Sequence, residues 1–460
     1  VKRNPRFALR SVFLALLSVL TLSFGAELLN AQVCPTTATS SNLICGIPQL
    51  YGPAGLILPN PNHSAHFVGS IQQSFTPLNS AVSQELSILP LASPASAITF
   101  TFDKALGVFT RSTESYGPIF GERAETIGRH RIYFGADYQF FGFSTLDGIN
   151  LKRLPAVFTH AQFKINGVFP TFEQDYITSI NRIDLKLHQV TLFGTYGITN
   201  RIDVSVAVPI LDIHMGVTSA AHIVRNAACE QNASCSDASA FGGEYHFFDI
   251  NNPVTSTDKT FTNSRQASGI GDVVFRVKGT ILNRERWALA GGVDVRTPTG
   301  DELNFLGSGA AGVKPFVAAS YHGRISPHVN IGYEWNGSSI LAGDISTGQK
   351  ARLPNQFFYS GGVDVRAKPK LTLALDLLGQ RVLGAERVRQ VPFTDVNGVV
   401  HNDIPDIQPF RGSFEEDDLS AGAKYAIYRN LLLTGNLLFE LDDTGLRARV
   451  VPLGGLSYTF

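Results

Sequence analysis

The feature that most constrains this chain is an alternation. In HRIYFGADYQFFGF (His130–Phe143), Ile132, Phe134, Ala136, Tyr138 and Phe140 fall on one side of an extended backbone, and Arg131, Asp137 and Gln139 on the other. Successive side chains of a strand point to opposite faces, so this period of two predicts a strand with one apolar and one polar face. The pattern returns at Ile183–Tyr196, Ile202–Ile213, Gly269–Leu282, Trp287–Pro298, Val313–His322, His328–Asn336, Asn355–Ala367, Lys370–Val382, Asp418–Ile427, Leu431–Leu441 and Leu446–Phe460, twelve segments in all. An even number of such strands returns both ends to one side, as in a single-chain antiparallel transmembrane β-barrel.

The connections alternate in length, as such a barrel requires. Short turns at Gly197–Arg201, Asn283–Arg286, Gly323–Pro327, Lys368–Pro369 and Tyr428–Asn430 suit the periplasmic end. Long links at Ser144–Arg182, His214–Ser268, Thr299–Gly312, Gly337–Pro354 and Leu383–Asp417 suit the outer end, where only Asp442–Gly445 is short. Within the strands, Arg or Lys on the lipid side costs about 2–4 kcal/mol near the midplane. The polar rows are therefore expected to face the lumen, with Asp272, Arg276, Lys278, Asp294, Arg296, Glu334, Asp364 and Arg366 as candidate wall residues. Two copies of GGVDVR, at Gly291–Arg296 and Gly361–Arg366, fit that rule: Val out, Asp in, Val out, Arg in. The strand count makes the first copy run outward and the second inward, so a structural ladder of charges is expected rather than a duplicated site.

The ends agree with export to an outer membrane. Lys2, Arg3, Arg6 and Arg10, then the apolar run Ser11–Phe24 and small residues, predict a signal peptide over residues 1–31 with cleavage after Ala31. No later stretch approaches the roughly 18–20 consecutive apolar residues of a spanning helix. At the other end Leu456, Tyr458 and Phe460 alternate in the last strand, as expected of a signal read by the barrel-assembly machinery. Lys+Arg and Asp+Glu both number 38, so no basic stripe points to nucleic acid. The expected partners are outer-membrane lipid and a small molecule, and no cofactor or metal is expected.

Residues 32–129 do not carry the strand pattern throughout and are expected to form a periplasmic or plug-like segment ahead of a barrel at 130–460. Ala95–Thr113 reads as a hairpin, which would either add two strands, making fourteen, or fold into the lumen. Four cysteines, Cys34, Cys45, Cys229 and Cys235, suggest two local disulfides in an oxidising compartment, although four cysteines allow three pairings. No zinc-like spacing accompanies them.

Three stretches form a series: ASGIGDVVFRVKG (Ala267–Gly279), GGVDVRTPTGDELNFLGSGAAG (Gly291–Gly312) and NIGYEWNG (Asn330–Gly337). With TYGITNRIDVSVAVP (Thr195–Pro209), they resemble the outer-membrane family named for the meta-pathway of phenol degradation. The resemblance runs from about Tyr133 to the C-terminus. It implies a barrel related in architecture to the long-chain fatty-acid transporters, and transport of hydrophobic or aromatic compounds.

Other motifs have plainer readings. GSGAAG at Gly307–Gly312 fits G-x-G-x-x-G but does not open a helix, so loop glycines are expected. FEEDD at Phe414–Asp418 suits a solvated strand end or a partner for Arg411 better than a calcium site. Phe241, Tyr245, Phe247 and Phe248 are either first contacts for an apolar ligand or the packing of a lid. No nucleophile signature marks an enzyme. The reading is thus an all-β antiparallel barrel of 12–14 strands acting as a channel for small organic molecules. A structural or adhesive barrel with partner-binding loops is the alternative, and a barrel hydrolase a distant third.

Overall fold

A computed structural model describes residues 33–59, 64–93, 100–103, 108–111, 115–161, 174–226, 246–428 and 430–460, with the backbone alone at 100–103 and 108–111. The predicted signal peptide lies outside the described residues. Twelve strands close into one antiparallel barrel: β1 Ile132–Gly142, β2 Tyr176–Gly197, β3 Ile202–Val224, β4 Val274–Asn283, β5 Trp287–Arg296 and β6 Gly312–Tyr321, then β7 Ile325–Asn336, β8 Asn355–Lys368, β9 Leu371–Thr394, β10 Val400–Tyr428, β11 Leu431–Glu440 and β12 Val450–Thr459. Each pairs with its neighbours in sequence, and β12 pairs with β1 through Leu456↔Ala136 and Tyr458↔Phe134 to close the ring. The hairpin at Phe100–Asp103 and Val108–Arg111 forms a separate two-stranded sheet, so the barrel has twelve strands and not fourteen.

The period of two acts as expected. Phe134, Val190, Ile210, Phe275, Val293, Val317, Ile331, Phe357, Leu375, Tyr425, Leu437 and Leu456 supply one exposed apolar residue from every strand. A water-soluble protein has no use for such a belt, whereas a bilayer solvates it, and closure leaves no strand edge to satisfy. Tyr458 and Phe460 lie edge to face at 4.6 Å, and the backbone N–H of Phe460 donates to the Ile132 carbonyl at 2.8 Å, so the last residue sits on the closing seam.

Beyond the belt the strands are longer than the sequence pattern indicates. β2, β3, β9 and β10 run to 22, 23, 24 and 29 residues. The expected loop Leu383–Asp417 is therefore largely strand, with β9–β10 turning only at 395–399, and both described ends of His214–Ser268 are strand, where Asp258–Ile270 pairs with β3 along Ile210–His222. The physical reason is that the lipid rule no longer applies there, so exposed positions carry polar groups such as Arg389 and Gln408 and the alternation fades. Conversely, Leu446–Arg447 leaves the expected last strand to pair with Thr145–Leu146.

The core lies inside the barrel. Helix α1, Val68–Leu86, presents Ile71, Phe75, Leu78, Val82 and Leu86 along one stripe, the spacing of an amphipathic helix. They join Phe158, Leu185, Ile213 and Met215 of the wall in one buried cluster, with Phe75 and Phe158 edge to face at 5.4 Å. Tyr51 completes the aromatic group and bonds Ser219 of β3 at 2.8 Å. The Cys34–Cys45 disulfide ties the chain ahead of α1, whereas Cys229 and Cys235 lie outside the described residues.

Candidate functional site: a lumen chamber between two obstructions

The short-turn end of the lumen is occupied by residues 115–129, which cross it in an irregular conformation. Backbone without a regular ladder must find partners elsewhere when buried. Here the barrel wall supplies them. The Ile127 N–H donates to Asp203 of β3 at 2.9 Å, the Ala124 N–H to Ser320 of β6 at 3.2 Å and the Glu122 N–H to Asn330 of β7 at 2.7 Å. Lys278 of β4 donates to Glu122 Oε1 at 2.6 Å and to the carbonyls of Arg123 and Glu125 at 3.0 and 2.8 Å. Arg123 pairs with Asp364 of β8 at 2.6 Å, and Glu125 with His322 at 2.6 Å.

These pairs fix the charge of the segment. Burial alone would raise the Glu125 carboxyl, but the hydrogen bond from His322 and the positive charge of Arg123 outweigh it and hold it down to about 2. Glu122 is also held below its ordinary value: burial opposes this, and Lys278 and Arg276 prevail. Both carboxylates are therefore ionised at neutral pH.

Between this segment and α1 lies a chamber of about 330 Å³. Leu86–Ser93 overhangs it, Phe120 and Glu122 face it from below, and Phe141, Phe143, Leu211 and Leu378 give it apolar walls. Its polar wall is on β4–β7. Arg276 grips Asp294 with two bonds, at 2.6 and 2.8 Å, and also pairs with Glu122, while its guanidinium stacks on the Phe316 ring at 4.8 Å. Arg296 pairs with Glu334 at 3.2 Å and donates to Asn336 at 2.5 Å and to the Ser87 carbonyl at 3.0 Å. A Cβ at Gly292 would overlap the Phe316 ring, so this glycine leaves the space in which the ring lies.

The expected lumen residues therefore divide. Arg276, Asp294, Arg296 and Glu334 line the chamber. Asp272 also lines it, yet its carboxylate is engaged by the N–H of Gly300 at 3.1 Å and the N–H and hydroxyl of Ser308 at 2.8 and 2.5 Å, so it anchors the following loop. Lys278 and Asp364 hold the 115–129 segment, and Arg366 sits half-buried beyond Asp364 toward the short turns. Neither GGVDVR copy pairs its own Asp with its own Arg; both Asp residues reach other elements.

One open reading narrows and one expectation changes. Phe247 and Phe248 are buried, and Phe248 packs edge to face on Phe261 at 5.8 Å, which favours the packing of the loop over a first contact with a ligand. Phe241 and Tyr245 lie outside the described residues. In FEEDD, Glu416 is buried and Asp418 pairs with Arg447 at 2.7 Å, while Arg411 donates to the Gly384 carbonyl instead. A carboxylate that enters a lumen finds its cation there, which strand polarity alone does not reveal. GSGAAG lies between a short 3-10 turn at Glu302–Asn304 and β6, as loop glycines.

Sequence reasoning also missed Glu122, Arg123 and Glu125, whose ion-pair partners lie about 150–240 residues away. It passed over two readable signals, Phe316 and Phe358, aromatic residues that stand in inward rows beside polar ones such as Lys314, Ser320, Gln356 and Ser360.

No curated protein matches the chain. Among solved structures, the COG4313 outer membrane channel from Pseudomonas putida F1 is 14% identical with a TM-score of 0.41, over 73% of this chain and 98% of that one. The P. putida toluene transporter TodX is 9% identical with a TM-score of 0.31, over 72% and 89%. A Pseudomonas aeruginosa FadL homologue is 10% identical with a TM-score of 0.29, over 73% and 91%. Similarity at this level says nothing of what this chain carries. The family model described as "Putative MetA-pathway of phenol degradation" matches residues 211–445, more than half the chain, and this outer-membrane β-barrel belongs to that family.

Proposed function

We propose that the protein is a channel for small, largely apolar or aromatic organic molecules, and that residues 32–129 act as its plug. The observation that carries the reading is the chamber of about 330 Å³ inside a closed barrel, walled by phenylalanine and leucine and obstructed on both sides. Twelve strands make a narrower barrel than the 16–18 strands that leave open aqueous channels. A molecule of one ring fits such a chamber, and passage requires the 115–129 segment or the α1 side to yield. Membership of a family described by phenol degradation supports a cargo of this kind. No step in this reading breaks a covalent bond, so the protein serves as a conduit and not a catalyst.

The test is uptake of benzyl alcohol into proteoliposomes whose outer leaflet is lipopolysaccharide. We expect faster uptake than in protein-free vesicles, and little ionic conductance until Lys278→Met and Arg123→Met loosen the segment. Uptake no faster than in protein-free vesicles would end the channel reading. Unchanged conductance in the double variant would remove the plug role from 115–129.

A further inference from the structure

The cations around the chamber are not equally occupied. Lys278 spends its three donors on Glu122 and two carbonyls, at 2.6–3.0 Å. Arg276 and Arg296 each have a carboxylate partner and at least one more bond. Among the described residues, Lys314 of β6 has a single carboxylate oxygen within ion-pair distance, Asp294 Oδ2 at 3.5 Å, and that oxygen already accepts from Arg276 at 2.8 Å. The Lys314 side chain is 27% exposed, against 1%, 13% and 12% for Lys278, Arg276 and Arg296. Its ammonium carries three donors and lies 4.5 Å from the centre of the Phe358 ring. Glu334, on the adjacent strand, is taken by Arg296.

Beside Lys314 the wall has a slot. Phe316 of β6, Gly332 of β7 and Phe358 of β8 stand in one register row, all inward: Phe316 pairs with Gly332, and Gly332 with Phe358. Two strand spacings separate the outer pair by about 9–10 Å of backbone. The middle residue has no side chain, and a Cβ there would come within 3.1 Å of the Phe316 Cβ. The Phe316 ring leans the other way, over Gly292 and under Arg276, so Phe358 is the aromatic face left beside Gly332, where the Lys314 Cγ lies 3.6 Å from the position of that Cβ.

We propose that this part of the chamber binds an aromatic carboxylate, with its ring against Phe358 and its carboxylate on Lys314 Nζ. The assignment rests on the channel reading insofar as it places the site on a transport route, and it narrows the cargo from neutral apolar molecules to aromatic acids. A carboxylate completes the donor set of Lys314 with a charge-assisted bond, and a flat ring suits an aromatic wall as a saturated ring does not.

The experiment is equilibrium dialysis of the full chain in detergent micelles against benzoate, benzyl alcohol and cyclohexanecarboxylate. Benzoate should bind saturably, and the other two about tenfold more weakly, the scale of one charge-assisted bond or one aromatic contact. Lys314→Gln should erase the preference for benzoate over benzyl alcohol, and Phe358→Leu the preference over cyclohexanecarboxylate. Heat-modifiable migration checks that each variant is folded. Benzoate bound no better than benzyl alcohol by the native chain, or undiminished in Lys314→Gln, would overturn the proposal. The uptake assay separates this outcome from the channel reading. Uptake without a benzoate preference leaves the channel and removes the site. Lys314-dependent binding without uptake keeps the site and removes the channel.

Discussion

Asp294 and Asp364 occupy the same place in the same hexapeptide, yet they do different jobs. Asp294 faces the chamber and is shared by Arg276 and Lys314, both on neighbouring wall strands. Asp364 is sealed, and its cation, Arg123, comes from the segment that crosses the lumen, with Ser115 and His328 closing around it. One copy is therefore a wall-to-wall contact beside open space, and the other is a wall-to-plug contact with none. Identical sequence supplies the inward carboxylate, and the tertiary partner decides its role.

The comparison can be broken most sharply at Arg123. Arg123→Met leaves Asp364 in a dry site with the Ser115 hydroxyl and, at 3.5 Å, His328 for partners, and breaking a buried pair from one side costs about 3–5 kcal/mol. Urea unfolding in lipid vesicles, followed by the fluorescence of Trp287 and Trp335 on the lipid face, should show a loss of that size. A loss below about 1 kcal/mol, the scale of an exposed pair, would mean that Asp364 is not sealed.

On the lipid side the copies should not differ. Val293→Arg and Val363→Arg should each cost about 2–4 kcal/mol, because both valines sit on the outward row. A near-zero cost for either one would place that strand's register wrongly.

At the chamber the loss should be smaller. Asp294→Asn leaves Arg276 on Glu122, so unfolding should shift by about 1.5–3 kcal/mol, the value of a bond to a charged group, and less than at Arg123. Equal losses at the two sites would erase the distinction between chamber and seal.

A last effect is read in pH. Glu125 is depressed to about 2 from 4.5, so the unfolded chain binds its proton first as pH falls. Its contribution is full above about 4.5 and is lost on the way down to about 2. Glu125→Gln should flatten the pH dependence of unfolding in that window, and an unaltered slope would show that the carboxylate is not held by His322.

All twelve strands were legible because lipid imposes the period of two on each of them, from Phe134 on β1 to Leu456 on β12. Outside the bilayer that pressure ends, and Asp258–Ile270 and the upper halves of β9 and β10 read as loop. Helix α1 was missed although Ile71, Phe75, Leu78, Val82 and Leu86 carry a helical period, because Ser, Gln and an internal Pro77 surround them. The inward carboxylates were legible as inward. Their partners were not, since nothing local relates Asp364 to Arg123. The Lys314 site was half legible: Phe316 and Phe358 stand beside polar residues in their inward rows, but their alignment across Gly332 depends on registers set by three strands together.

The path of residues 115–129 bears on how the molecule comes together. The segment runs directly into β1, and β1 forms the closing seam with β12. One of the two strands that form the seam is thus also the one from which the lumen segment hangs. An unsealed sheet offers that segment a sideways entrance, and its charges can meet Lys278 and Asp364 before the wall is complete. A finished barrel offers only its two mouths, one of them already filled by α1. Zipping the seam and seating the segment are in this sense a single event in the life of the chain.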